Sequence, residues 1–155
     1  MKLPIKNNLI IELHVPDFAL IREFYSKLGF EVISEEPKGE NYPGYLVLKR
    51  QDALGDTILN FYGDDDRVYN QSYFKKFPPD TVRGYATELT MPIADIDNFY
   101  AMVKSVLPQH IVKELQQIKD DHNTWRDFRV ADPYGYYLRF TELIDWGQSG
   151  AKKGT

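Results

Sequence analysis

The 155-residue chain has a net charge of −4, 43% hydrophobic residues, 14% aromatic residues and no cysteine. This composition excludes the apolar-poor class of disordered chains, and the lack of a basic cluster argues against nucleic acid or an anionic membrane surface as a partner. The absence of cysteine excludes disulfides, thiol nucleophiles and Cys-ligated metals. No apolar run has signal-peptide or membrane-spanning character, so we expect one folded domain in the cytoplasm.

The first predicted module begins with a strand over Leu9–Val15, where apolar residues alternate with mixed ones. Asp17 can cap a following helix whose apolar residues recur at helical spacing, and Gly29 supplies the left-handed position that ends it. Three further strands are predicted at Phe30–Ser34, Tyr45–Lys49 and Thr57–Tyr62. The order of elements is therefore β-α-β-β-β.

The same order restarts after residues 64–83, which contain an Asp triplet, several aromatics and a Pro-Pro pair without a sustained period. We predict a linker there. Thr87–Ile93 alternates as the first strand does, Asp95 can cap a second helix, and Ile111–Leu115 follows as a strand. Asp95 lies 78 residues after Asp17, and the segments that they lead are similar. Internal duplication explains both halves.

A predicted β-hairpin ends the second half. Trp125–Val130 and Tyr136–Thr141 are rich in aromatic and β-branched residues, and they flank Asp132-Pro133-Tyr134-Gly135, which favours a tight turn. The W-x-x-F segment, the D-P-x-G turn and the L-R-F strand together resemble the closing hairpin of the glyoxalase/bleomycin-resistance family, the vicinal-oxygen-chelate superfamily.

The resemblance covers roughly Leu9–Glu142. It implies an α+β fold in which two tandem β-α-β-β-β modules form curved sheets around a shared concavity. Within a single domain of residues 1–155, we expect module one at about 7–63, the linker at about 64–83, module two at about 84–143 and a polar tail at 144–155. Sheet edges and apolar aromatic surface favour a homodimer. Whether the modules pair within one chain or across that dimer stays open.

In metal-using members of this superfamily, His, Gln or Glu side chains on the first and last strands of each module hold a divalent ion. On the first strands these positions fall at Ile10 and Glu88. On the last strands they fall at Ile58 or Asn60, and at Arg139. Neither last strand supplies a carboxylate, and a permanently charged arginine repels a cation. We therefore expect no metal and no other cofactor, as in the metal-free bleomycin-resistance type.

Two interpretations of Arg139 and Glu88 stay open: an ion pair on the cavity floor, or contact with a ligand. Trp125 and Phe128 match the segment that contributes to an aromatic ligand groove in bleomycin-resistance-like proteins, although core packing is the better explanation for Phe128. No catalytic residue is assigned.

Glu12 and His14 project from the same face as Ile10, so a displaced metal site formed by Glu12, His14 and Glu88 is an alternative. Tyrosines can offer a ligand both an apolar face and a hydroxyl group. The ligand-binding candidates are Trp125, Arg139, Glu88, His14, Glu12, Asn60, Tyr62, Tyr45 and Tyr137.

The favoured function is that of a metal-independent protein that sequesters a small aromatic or amphiphilic molecule. One alternative is an enzyme: a glyoxalase-like lyase or isomerase or a dioxygenase with a divalent metal at a non-standard site, or a metal-free enzyme that uses Glu88 or Glu12 as general base. Another is a regulatory or interaction module whose concavity is filled by its own aromatics.

Overall fold

The computed structural model describes residues 9–144, which form two compact units. Arg83 ends the first unit and Gly84 begins the second, except that Asp52–Gly55 belongs to the second unit. No helix within residues 9–144 is long and apolar enough to cross a membrane. The predicted polar tail lies outside the described residues, apart from Ile144, which is buried.

The first unit contains a four-stranded sheet of order β1-β4-β3-β2. β1 pairs in parallel with β4, whereas β3 is antiparallel to both of its neighbours. The elements are β1 (Glu12–Val15), α1 (Phe18–Lys27), β2 (Glu31–Glu36), β3 (Gly44–Arg50) and β4 (Thr57–Gly63). These are the predicted elements of module one in the predicted order.

The helix α1 begins and ends as the sequence predicts. The carboxylate of Asp17 accepts a hydrogen bond from the backbone N–H of Ala19 at 2.7 Å, which satisfies one of the unpaired donors of the first turn. Gly29 has a φ of +86°, in the left-handed region that glycine adopts at little cost. Between these ends the helix buries one apolar side, including Ile21 and Tyr25.

The strand predicted at Leu9–Val15 was too long, because β1 begins only at Glu12. Leu9 and Ile10 lie before it with exposed side chains. The pairing of β1 with β4 starts at Glu12, opposite Asn60, so Leu9 and Ile10 have no partner in that parallel ladder. Alternating hydrophobicity alone does not show where the neighbouring strand begins.

The segment predicted as a linker packs with the first unit. It contains two short 3-10 helices, Asp66–Asn70 and Phe74–Lys76, and the side chain of Val68 is fully buried. Arg67 donates through Nη2 to the backbone carbonyl of Gly39 at 2.9 Å. Hydrogen bonding to Arg67 lowers the pKa of the Asp65 carboxyl.

The second unit repeats the topology of the first, with a four-stranded sheet of order β5-β8-β7-β6 and the pair β5–β8 parallel. Its elements are β5 (Glu88–Pro92), α2 (Ile96–Val106), β6 (Ile111–Lys119), β7 (Thr124–Ala131) and β8 (Tyr137–Thr141). Asp95 caps α2 by accepting from the backbone N–H of Asn98 at 3.2 Å. The predicted α+β fold of two tandem β-α-β-β-β modules is confirmed.

The turn between β7 and β8 is held by Asp132. Its backbone carbonyl accepts from the N–H of Gly135 at 3.0 Å, and its carboxylate accepts from the N–H groups of Tyr134 and Tyr136, each at 2.9 Å. Gly135 has a φ of +84°, which explains the glycine at this place in the motif. The hairpin is therefore fixed locally, and the register of its two strands follows from the turn.

The core of the second unit lies on one face of its sheet, between the sheet and α2. Phe128 and Phe140 are fully buried and pack against Phe99 of α2, with ring centroids 5.9 Å and 4.9 Å from that of Phe99. Phe128 is therefore a core residue, as expected. Since successive side chains on a strand point to opposite faces, Trp125, Asp127, Arg129 and Arg139 lie on the face turned away from α2.

Candidate ligand-binding faces

We call the face of the second sheet turned away from α2 the module-two face. It carries Trp125, Asp127 and Arg129 on β7, Arg139 on β8 and Glu88 on β5. Arg129 lies directly opposite Arg139 in the antiparallel register of β7 and β8. Two positive charges thus stand side by side on adjacent strands, a destabilising arrangement unless negative groups accompany them.

The negative group at the centre is Asp127, whose side chain has no solvent exposure. Its Oδ2 accepts from Arg139 Nε at 2.9 Å and from Trp125 Nε1 at 3.0 Å, and it lies 2.7 Å from Arg139 Nη2. Its Oδ1 accepts from Arg129 Nη1. A buried carboxylate is stable only when paired and hydrogen-bonded, and here both oxygens have partners. We refer to Asp127, Trp125, Arg129 and Arg139 as the Asp127 network.

Glu88 contacts the two arginines at longer range. Its Oε1 lies 3.8 Å from Arg139 Nη1 and its Oε2 lies 3.5 Å from Arg129 Nε. These are ion-pair contacts that exceed the normal length of a hydrogen bond. Its side chain is 35% exposed, against 13% for Arg129 and 14% for Arg139. The anticipated pair of Glu88 and Arg139 is therefore present, but Asp127 is the principal partner of Arg139.

Asp127 and Arg129 are not among the site residues predicted from the sequence. A signal for both was present, because the W-x-D-x-R pattern of Trp125, Asp127 and Arg129 places all three on one face of a strand. That face is opposite to the one that carries Phe128.

Trp125 and Tyr137 give the module-two face its aromatic surface. Both side chains are partly exposed, and the guanidinium carbon of Arg139 lies 5.8 Å from the centre of the Trp125 ring, within the range of a cation–π interaction. Tyr137 lies opposite Glu88 in the parallel register of β5 and β8. Trp125 thus has one polar edge bound to Asp127 and a neighbouring positive charge.

The face of the first sheet that carries Glu12 and His14 brings together five of the predicted site residues, and we call it the module-one face. Glu12 Oε1 lies 2.9 Å from His14 Nε2, and Glu12 Oε2 accepts from the hydroxyl of Tyr45 at 2.9 Å. Asn60 Nδ2 donates to that hydroxyl at 2.8 Å. Tyr62 packs against the His14 ring, with centroids 4.6 Å apart. A continuous hydrogen-bonded chain therefore runs from Asn60 to His14.

Tyr45 is held in its protonated form by this arrangement. Burial raises the pKa of its hydroxyl above the ordinary value of 10.0, and the Glu12 carboxylate raises it further, while the hydrogen bond from Asn60 opposes both. At neutral pH Tyr45 is therefore a hydrogen-bond donor. Its proton is already directed at Glu12.

His14 lies in an aromatic setting that the sequence did not predict. Phe74, from the segment after β4, meets its ring edge to face at a centroid distance of 5.1 Å. The backbone carbonyl of His14 accepts from Arg83 Nη1 at 2.9 Å. The segment of residues 64–83 thus helps to position the module-one face.

The residues at the superfamily's metal positions differ in their surroundings. Ile10 is 65% exposed and lies before β1, and Ile58 and Asn60 lie on β4. Arg139 lies within the Asp127 network, with Glu88 beside it. Within residues 9–144 the structure shows no group of three or more His, Cys, Asp or Glu side chains that could hold a metal ion. Glu12 and His14 of the alternative metal site lie on the first sheet, and Glu88 lies on the second.

Neither a protein-family model nor a curated protein matches this sequence. Solved structures do match. A glyoxalase family protein from Enterococcus faecalis is 24% identical with a TM-score of 0.59, over 90% of this chain and 100% of that chain. A bleomycin resistance determinant encoded on the transposon Tn5 is 19% identical with a TM-score of 0.57, over the same shares.

A bleomycin-binding protein whose structure contains bleomycin is also similar. It is 19% identical with a TM-score of 0.54, over 90% of this chain and 100% of that chain. Likeness at this level of identity is informative about fold, and function has to be argued from the site. With the duplicated topology and the two sheet faces described above, these matches show that the chain has the glyoxalase/bleomycin-resistance fold.

Proposed function

We propose that this chain binds a small aromatic or amphiphilic molecule, that it needs no metal ion to do so, and that it does not convert the molecule. The Asp127 network is the observation that carries the proposal. There a buried carboxylate binds a partly exposed indole and two guanidinium groups. Small-molecule sites combine apolar surface with a few fixed polar groups, and this face offers both.

The engagement of the carboxylates favours binding over catalysis. A general base needs a lone pair directed at the proton that it removes. Both oxygens of Glu12 are engaged, one with Tyr45 and one with His14. Both oxygens of Asp127 are engaged with arginine. Asp127 is moreover fully buried, so it does not suit proton abstraction from a bound molecule, and a base at Glu12 would act while it holds Tyr45 and His14.

The charge at the superfamily's metal positions favours binding without a metal. Arg139 is permanently protonated, and it would repel a divalent cation placed beside it. Of the other positions, Ile10 offers no donor atom, and Ile58 or Asn60 offers at most a neutral amide. We expect protein purified without chelator, then supplied with Ni, Zn, Fe or Mn, to contain far less than one metal per chain by elemental analysis. About one equivalent of any of them would contradict this part of the proposal.

Fluorescence provides the test of binding. The chain has two tryptophans, so a Trp146→Phe variant isolates the signal of Trp125. Bleomycin is the first probe, because the structurally similar bleomycin-binding protein contains it. A panel of planar aromatic compounds follows. We expect saturable quenching by at least one probe, and a Trp125 signal that responds to none of them would argue against a ligand site on this face.

We further propose that the chain acts in the cytoplasm as a homodimer. All residues of β2, an edge strand of the first sheet, are exposed, including Val32 and Ile33. Open edges and exposed apolar side chains favour self-association. Light scattering at micromolar concentration should give twice the chain mass. A monomer at that concentration would exclude a stable dimer.

A further inference from the structure

We propose that Arg129 and Arg139 form a carboxylate-binding site for an aromatic acid, in the place that the Glu88 carboxylate takes in this structure. The inference rests on the proposed function and adds to it the chemical class of the ligand. The ligand's carboxylate would displace Glu88, and its ring would lie along Trp125.

The two arginines are fixed before any ligand arrives. They lie opposite each other on β7 and β8, and each donates to a different oxygen of Asp127. A guanidinium anchored at one edge keeps its remaining N–H groups in a defined direction, and this fork matches the two oxygens of a carboxylate. Asp127 neutralises one of the two positive charges and leaves the other for a second anion.

Glu88 supplies that second anion incompletely. Its oxygens stay 3.5 Å from Arg129 Nε and 3.8 Å from Arg139 Nη1. Arg129 Nε is buried and has no hydrogen-bond partner among residues 9–144. A buried donor without an acceptor is unfavourable, so an oxyanion that comes closer than Glu88 gains a hydrogen bond that the protein alone does not make.

The Glu88 side chain, which lies beside the two arginines in this structure, indicates which kind of anion fits the site. A carboxylate already lies against both arginines, and its side chain is more exposed than theirs, so it can swing outward to solvent. The Trp125 ring lies 5.8 Å from the Arg139 guanidinium carbon. A carboxylate attached directly to a planar ring would therefore place the ring beside an indole and its charge beside the arginines.

The test uses 2-naphthoate and its neutral isostere 2-naphthamide, titrated calorimetrically into the full chain. We expect naphthoate to bind at least about tenfold more tightly than the amide. Glu88→Gln removes the competing carboxylate and should strengthen naphthoate binding by about tenfold, with little effect on the amide. Glu114→Gln is the matched control, because Glu114 is exposed on β6 and pairs with Lys104, and it should change neither affinity.

Arg129→Gln completes the series, since it leaves Arg139 and Trp125 to hold Asp127 and should reduce naphthoate affinity to that of the amide. In the parent, the Arg129 Nε–H resonance should shift on addition of naphthoate. Equal affinities for naphthoate and naphthamide, or an unchanged naphthoate affinity in folded Glu88→Gln, would overturn the inference and leave the proposed function intact. If bleomycin, the aromatic panel and both naphthalenes all fail to bind, the proposed function fails with it.

Discussion

The two modules share a topology but build their open faces from different chemistry. Under the 78-residue offset Glu12 aligns with Thr90, and each lies opposite a polar residue of the last strand, Asn60 in one module and Arg139 in the other. Module one thus has its carboxylate on the first strand and a neutral amide opposite. Module two has an arginine there. Besides Glu88 on its first strand, it carries a fully buried carboxylate, Asp127, on β7.

The difference shows how much freedom a duplicated backbone leaves to its side chains. The parallel pairing of first and last strands is the same in both sheets, so the same positions meet. In module one these positions carry neutral groups and the partly exposed Glu12. In module two they belong to a buried network of charged side chains. Breaking a desolvated network costs far more than breaking a partly solvated one, which gives the two faces measurably different roles in stability.

The largest effect is expected for Arg139→Ala, which leaves Asp127 buried with reduced compensation. Loss of one partner of a buried ion pair typically costs roughly 3–5 kcal/mol, so the free energy of unfolding by urea should fall by about that amount. If Glu88 were the principal partner of Arg139, Glu88→Gln/Arg139→Met would be the compensating pair. With Asp127 as the principal partner, Asp127→Asn/Arg139→Met should recover more stability. Better recovery with Glu88→Gln would reverse the ranking of the two carboxylates.

The second effect concerns binding on the module-two face. Trp125→Ala should weaken binding of an aromatic ligand by roughly 1–3 kcal/mol, about one to two decades in the dissociation constant, because stacking is lost. Trp125→Phe also loses the indole N–H but keeps an aromatic ring, so it serves as control and should lose less affinity. Calorimetry gives the affinities. If Trp125→Ala and Arg139→Ala lose equal stability while the affinity stays unchanged, this hairpin is core and the ligand binds elsewhere.

A smaller effect is expected on the module-one face. Tyr45→Phe removes the hydroxyl that joins Asn60 to Glu12, at a cost of about 1 kcal/mol in the free energy of unfolding. Val47→Ala, on the same strand, serves as control for a substitution that removes side-chain atoms but no hydroxyl. Urea unfolding at neutral pH compares them with Arg139→Ala. A loss for Tyr45→Phe as large as that for Arg139→Ala would remove the energetic distinction between the faces.

The smallest effect is a pH dependence specific to Tyr45. Its pKa is raised in the folded state above the ordinary 10.0, so the folded protein retains this proton more tightly than the unfolded chain does. The resulting stability is complete below pH 10 and is lost as the pH rises through the folded pKa. The stability difference between the parent and Tyr45→Phe should therefore shrink above pH 10. An unchanged difference between pH 8 and pH 10.5 would contradict the raised pKa.

The order of helices and strands follows from the sequence alone, because helix caps and tight turns depend on residues close together in the chain. Asp17 and Asp95 cap helices because a carboxylate can reach the free N–H groups of a first turn, and Gly135 turns the hairpin because it adopts a positive φ at little cost. Each signal involves residues within a few positions of one another. Together with the repeat they specified the order of elements and the fold.

The tertiary structure decided which side chains meet. Alternation places Asp127 on the face of Arg139. Only the folded sheet, in which Glu88 stays 3.8 Å from Arg139 Nη1, makes Asp127 the main partner. Register likewise starts β1 at Glu12, and chain packing brings Phe74 against His14 from sixty residues away. These contacts depend on how the strands and the segment after β4 pack, and the pattern around one residue does not determine which partner comes nearest.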